Sequence, residues 1–503
     1  QIAVVGAPTA DTSDDPADNN TEAYYRHLNG YITFKKLHEK RNAAVYVGAN
    51  DGMLHAFDST SGQELWAFIP PAMLPKFRNM RATSPNESVS IYGVDGSPVI
   101  KDVFYQNKWT TMLIAGMGLG GKSYFALDVT YRDNPRFLFA FSNDPTEQKT
   151  YHWNSAGVRT THEYSGISTK YNYSKLGHAL SIPTIVLARI KGAPKWVGAI
   201  GAGFNAGVDT NYASAIYIID LENEGEVLKK LDLTDNPGGY ANAFPSQLTA
   251  ITPDTTGFAN YSGAMLYGVD LEAKEHKFNL TNDGIVYSHS KIFDGQGTTT
   301  NGQSSYFSVT PSIGTDGKLW VYFGTGDQQK LQHMSPTIKN RIFGIRDSNF
   351  PRFKTVPTDL IGKLKNVTGG GSVCPSATDS GWYINLTTNE KVTGKIAIHD
   401  RTLYVSRYTP NNAQVCNPGT NLLSEIGYGC GKSQKETKLG NGILTGAVVF
   451  KGNIYIGISG VASDAGGSPA TGYTQHGNII VGKPANPSDS GGAVNQESWR
   501  EIF

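Results

Sequence analysis

The chain has 503 residues, 44 of them Lys or Arg and 43 Asp or Glu, for a net charge of +1. That balance argues against bulk electrostatic capture of nucleic acid or of an anionic membrane surface, and no apolar run reaches the ~18 residues of a membrane span. With 57 Gly, 26 Tyr and only 7 Met, the composition favours an all-β protein with many turns and aromatic-rich strands.

The chain begins at Gln1 with no visible signal peptide, and reads as a processed chain or part of something longer. Residues 1–40 are expected to be an N-terminal connecting segment, with an acidic, mobile run at Asp11–Asp18 and one short helix around Asn20–Leu28. From residue 41 to 503 a unit recurs: a short apolar strand, a glycine, a variable loop, and a second strand ending in Asp before a turn. Its first copy is VYVGANDGMLHAFDSTSGQELWAF, Val45–Phe68. Here Asn50-Asp51-Gly52 signals a tight hairpin, and Asp58–Gly62 an Asx-type turn closed by a glycine of positive φ. Trp66 then returns on the outer strand, where an aromatic packs between neighbouring blades.

Further copies lie at Met112–Thr130, Trp196–Asp232, Met265–Leu280 and Leu319–Asp347, with weaker ones at Leu403–Tyr408 and Asn453–Pro484. Short Ser/Thr/Pro-opened strands precede several of them, at Gly96–Ile100, Ser181–Leu187, Thr310–Gly314 and Thr445–Phe450, positions a strand-opening proline tolerates. Radial repetition of such units predicts a β-propeller of about seven four-stranded blades.

The second copy contains AGMGLGGKSYFALD, Ala115–Asp128, which fits both G-x-x-x-x-G-K-S and G-x-G-x-x-G. Both motifs place phosphate on the N-terminus of a following helix. The residues after Lys122 are aromatic and β-branched with apolar alternation, so a strand is predicted and nucleotide binding is not expected. Two long polar stretches, 144–175 and 408–438, are expected to be inserted loops. Tyr164, Tyr171 and Tyr173 in the first would offer rigid contact area to a partner. The second holds Cys416 and Cys430, whose spacing favours a disulfide, with Cys374 free or paired outside the chain; three separate buried thiols are the alternative.

VYVGANDGMLHAFDSTSGQELWAFIPPAMLPK closely resembles the signature of the PilY/PilC family of type IV pilus tip proteins. VDGSPVIKDVFY (Val94–Tyr105), MLIAGMGLGGKSYFALDVT, VYFGTGDQQ (Val321–Gln329), GWYINL (Gly381–Leu386) and SWREIF (Ser498–Phe503) resemble it too. The resemblance implies a C-terminal propeller. An N-terminal portion, often with a von Willebrand A-like module, would precede Gln1. It implies pilus biogenesis with minor pilins at the tip, opposition to retraction, twitching motility, adhesion to a host-cell or surface ligand and a part in virulence. It also implies export through the periplasm to a secreted or cell-surface, outer-membrane-associated position.

The same resemblance implies a calcium loop of the form D-x-D-x-D-G-x-x-D. The matching positions are Thr252, Asp254, Thr256 and Asn260, with the Phe258 carbonyl as a further oxygen. Only Asp254 brings charge, and calcium affinity follows ligand charge count, so calcium binding is expected to be weak or lost. The enzymatic rival is a quinone-dependent dehydrogenase of the same propeller fold. It requires ordered acidic ligands around a calcium-bound quinone, and no second acidic cluster of that spacing occurs, so neither catalysis nor quinone is expected.

Overall fold

In a computed structural model, the residues described are 2–80, 91–166, 169–190, 192–205, 212–234, 243–252, 264–280, 286–298, 300–369, 374–411, 418–460 and 470–484. They form seven sheets in chain order, the blades of a β-propeller. Blade one orders Ala3–Val5, Ala44–Gly48, Leu54–Asp58 and Glu64–Phe68; blade three orders Thr184–Ile190, Ala193–Gly201, Ala215–Asp220 and Glu226–Asp232. Blade two has six strands, because Lys149–Trp153 and Arg159–Glu163 extend it outward. Blades four, five and six have five strands each and blade seven has four. The chain divides into two compact units, Gln1–Leu266 with Phe278–Ser288 and Tyr267–Lys277 with His289–Trp499, and the division runs through blade four.

Glycine and aspartate set the register. In blade one the Ala49 N–H donates to Met53 O at 3.0 Å across the Asn50–Gly52 turn, and Gly52 sits at φ +92°, a region other residues avoid. At the next turn the Thr60 and Ser61 amides donate to Asp58 Oδ1 at 2.9 and 2.8 Å. The same device recurs in four later copies of the unit. Asp128 accepts from the Thr130 amide, Asp220 from Glu222, Asp270 from Glu272 and Lys274, and Asp347 from Asn349. One carboxylate oxygen closes the turn and leaves the other free for a cation.

Blades stack through apolar side chains. Tyr46, Leu54 and Ala56 of blade one pack with Leu113, Phe125 and Leu127 of blade two. Met112, Ile114 and Tyr124 of blade two pack with Ile185, Leu187 and Tyr217 of blade three. In the second unit Trp320, Tyr322 and Trp382 of blade five meet Leu403, Val405 and Ile426 of blade six. Strands covered on both faces lose alternation, as the fully buried Ser123–Asp128 and Ala215–Asp220 show. Trp66 bridges blades as expected, donating to Arg132 O at 2.6 Å.

Residues 1–40 do more than connect. Ala3–Val5 is a strand of blade one, paired with Ala44–Tyr46. The helix around Asn20–Leu28 forms as α1, Glu22–Leu28, capped by Thr21, whose hydroxyl accepts from the Tyr24 amide. A second helix, α2 (Tyr31–Leu37), follows Gly30 at φ +67°. Glu22 of α1 is buried, bonded to Arg26 at 2.7 Å, to Lys101 of blade two at 3.0 Å and to the Leu187 amide of blade three at 3.2 Å.

Candidate functional site

Of the predicted calcium ligands, Thr252 directly follows the strand Thr249–Ile251, whereas Asp254, Thr256, Phe258 and Asn260 lie outside the described residues, as does SWREIF. Among the described residues, no group of three or more His, Cys, Asp or Glu side chains is arranged to hold a metal ion.

The glycine stretch is a hairpin. Lys108–Gly116 pairs antiparallel with Ser123–Asp128, so a strand stands where both phosphate motifs need a helix. Its glycines serve close backbone approach: a Cβ on Gly120 would lie 1.7 Å from Gly93 O, and Gly118 sits at φ +54°. Two lysines flank the turn. Lys76 Nζ donates to Gly120 O, and Lys122 Nζ lies 5.8 Å from the Tyr212 ring. Burial, then the charges of Lys122 and Lys76, lowers the pKa of His178 beside them to about 4.

Of the tyrosines singled out in 144–175, Tyr173 turns fully inward, which corrects its expected role as contact area, while Tyr164 and Tyr171 are half-buried. Tyr173 is fully buried, stacked on Phe141 at 3.8 Å, and its hydroxyl donates to Gly225 O. Tyr171 stacks on His152 at 4.0 Å, and the Tyr164 hydroxyl donates to Asn143 Oδ1. A large ring gains more from burial than from exposure while it waits for a partner. What the region does expose is the outermost strand Arg159–Glu163, four of whose five residues are exposed.

The stretch 408–438 is also not simply a loop. It contains the strands Thr420–Gly427 and Ser433–Thr437 of blade six, whose polar residues masked their periodicity. The disulfide joins Cys374 to Cys430, not Cys416 to Cys430; Cys416 lies outside the described residues. Pairing needs Cα atoms within about 7 Å, and folding brings Cys374 to 4.8 Å from Cys430 across 56 positions of sequence.

Sequence reasoning missed a buried polar cluster in the second unit. Lys274–Asn279, KEHKFN, is fully buried along its length despite its charges. Lys277 Nζ contacts Asp347 Oδ1 and Oδ2 at 3.1 and 2.9 Å, and the Tyr267 hydroxyl donates to Oδ2 at 2.9 Å. His276 Nε2 lies 3.1 Å from Asp270 Oδ2, and its Nδ1 lies 2.8 Å from His289. Glu275 is wholly buried, and neither carboxyl oxygen has a hydrogen-bond partner. Burial, reinforced by Asp347 and opposed by Lys277, pushes its pKa well above the ordinary carboxylate range. The available signal was the "strand ending in Asp" at Asp347, which calls for a cation but does not name it.

Comparison with known proteins fits this architecture. The family model described as the PilY1 beta-propeller domain matches residues 22–371. The type IV pilus biogenesis factor PilY1 of Pseudomonas aeruginosa is 27% identical over 440 residues, covering 78% of this chain and 35% of that protein. A homolog from Xylella fastidiosa is 26% identical over 517 residues, covering 96% of this chain and 37% of its own length. The chain thus spans about a third of the curated relatives it matches. The crystal structure of the Pseudomonas aeruginosa PilY1 C-terminal domain shares the fold, with a TM-score of 0.63 at 21% identity, covering 96% of this chain and 100% of that one. With a family model spanning most of its length and the same propeller architecture, this chain belongs to the PilY1 β-propeller family of type IV pilus biogenesis factors.

Proposed function

We propose that this propeller acts at the tip of a type IV pilus, where it promotes assembly by opposing retraction and carries adhesive contacts on its surface. The family match over residues 22–371 supports this reading most strongly. Minor pilins would be its partners within the pilus, and a host-cell or surface ligand its partner outside. Export through the periplasm gains support from the Cys374–Cys430 disulfide, since such bonds persist in oxidising compartments. We assign the domain a binding role and no turnover of a substrate. Adhesion would use exposed elements, among them the edge strand Arg159–Glu163.

The donor set Thr252, Asp254, Thr256, Phe258 and Asn260 does not fit a strong calcium site, because one carboxylate stands where the family pattern has four. Weak binding at best, about 10⁻⁴–10⁻³ M, is proposed there.

Deleting the gene in its host should abolish surface pili, and inactivating the retraction motor in that strain should restore them. Substituting Arg159, Thr161 and Glu163 should then lower attachment at constant pilus number. Pili that stay absent without retraction would refute the opposing role. Full attachment by the substituted strain would refute adhesion through this strand.

A further inference from the structure

Among the described residues, the Lys277–Asp347 pair differs from the other turn pairs whose second oxygen meets a lysine or arginine. The Lys277 side chain is 0% exposed and that of Asp347 2%, whereas the cations facing Asp128 and Asp220, Arg136 and Lys195, are 53% and 28% exposed. Glu275 stands two residues from Lys277 on one strand, hence on the same face. A buried carboxyl group with no partner is rare and calls for an explanation. An amine in contact with a carboxylate, with an unpartnered acid on the same strand face and all three sealed from water, forms the set that amide condensation requires. Fixed contact of this kind replaces a bimolecular encounter and is worth an effective concentration of roughly 10⁵–10⁸ M.

We propose that Lys277 and Asp347 condense into an intramolecular amide, with Glu275 carrying the proton between them. The ammonium first passes a proton to the Asp347 carboxylate, giving a neutral amine and a neutral acid, a transfer favoured where charge is poorly solvated. Nζ then attacks Asp347 Cγ and a C–N bond forms. One oxygen of Glu275 takes the proton released by nitrogen, and its carboxyl proton goes to the departing hydroxyl, which leaves as water. In sum, –NH₃⁺ and –COO⁻ give –CO–NH– and H₂O, and Glu275 returns unchanged. Its pKa, raised by burial, keeps the protonated form available for this exchange. No oxidant, metal or cofactor enters. The product would tie the Lys274–Asn279 strand to the end of the Arg341–Asp347 strand, a covalent staple across 70 positions of sequence.

The intact mass of the reduced wild-type chain tests this. The expected mass is one water below that of the sequence, with a branched peptide in the digest joining the Lys277 and Asp347 fragments. Glu275→Gln and Lys277→Arg should both stay at full mass. A wild-type chain at full mass overturns the proposal, as does a water deficit without the branched peptide. A branched peptide that persists in Glu275→Gln overturns the role of Glu275.

Discussion

The aspartate turns of the first unit and those of the second share one backbone device in two different surroundings. Asp58, Asp128 and Asp220 close their turns and meet Arg132, Arg136 and Lys195 where water reaches the pairs. Asp270 and Asp347 close the same turn, yet meet His276 and Lys277 in the dry interior of the second unit. Solvated pairs gain little, about 0–1 kcal/mol, because water screens them. A buried pair has already lost its hydration, so its worth lies in what breaking it would expose. The turn therefore fixes the backbone everywhere, while burial decides whether its second oxygen matters.

Lys277→Met gives the largest expected effect. It leaves the Asp347 carboxylate without its cation at a position 4% exposed, and loss of one partner of a buried pair costs about 3–5 kcal/mol. The urea midpoint should fall accordingly. Adding Asp347→Asn in the same chain removes the stranded charge and should return the part of that loss that the charge causes, leaving the part that a covalent staple supplies. A Lys277→Met chain as stable as wild type would mean that the buried turn is no different from the surface ones.

The turn half of this comparison was legible in the sequence, because an Asp that ends an apolar strand before a turn is local chemistry. So were the seven repeats and the hairpin reading of Gly116–Gly121. The cation half was not. Arg132 reaches Asp58 across 74 residues and Lys277 reaches Asp347 across 70, and one sequence gives no register between blades. Nor does KEHKFN signal burial, since its charges imply a solvated face until the neighbouring blade supplies Asp347. The cysteines failed for the same reason. Three of them permit three pairings, and the local Cys416–Cys430 spacing said nothing of how close Cys374 comes. The helix α2 escaped because Tyr31-Ile-Thr-Phe mixes aromatic and β-branched residues of low helix propensity, and Tyr31 and Phe34 are held by the first unit's core instead.

At the surface end of the comparison, Arg136→Ala should change stability by no more than about 1 kcal/mol. Its guanidinium is the more exposed partner of Asp128, and Asp128 keeps its bond from the Thr130 amide at 2.9 Å. Asp128→Ala in parallel removes the turn closure as well and should cost more. Equal losses from both variants would show that the ion pair, and not the turn, holds this corner of blade two.

The smallest expected effect sharpens the contrast between two histidines. His276 lies buried between Asp270 and His289, whereas His55 lies near the surface of blade one, 2.6 Å from Glu64 and 2.8 Å from Asp51. Partial burial pulls the His55 pKa down, but the hydrogen bond to Glu64 and the charge of Asp51 outweigh it, so the net shift is upward. A folded pKa raised above the unfolded value means that folding favours the protonated ring. The resulting stabilisation is complete below the unfolded value of about 6.5 and disappears as pH rises through the folded one. Both acids are about half exposed, so solvent keeps the gain within about 1 kcal/mol. His55→Gln should therefore lower the unfolding midpoint at pH 5.5 and leave it nearly unchanged at pH 9. An equal loss at both pH values would assign His55 to packing against Phe57, whose ring stacks on it at 5.9 Å, and would end the electrostatic account of this site.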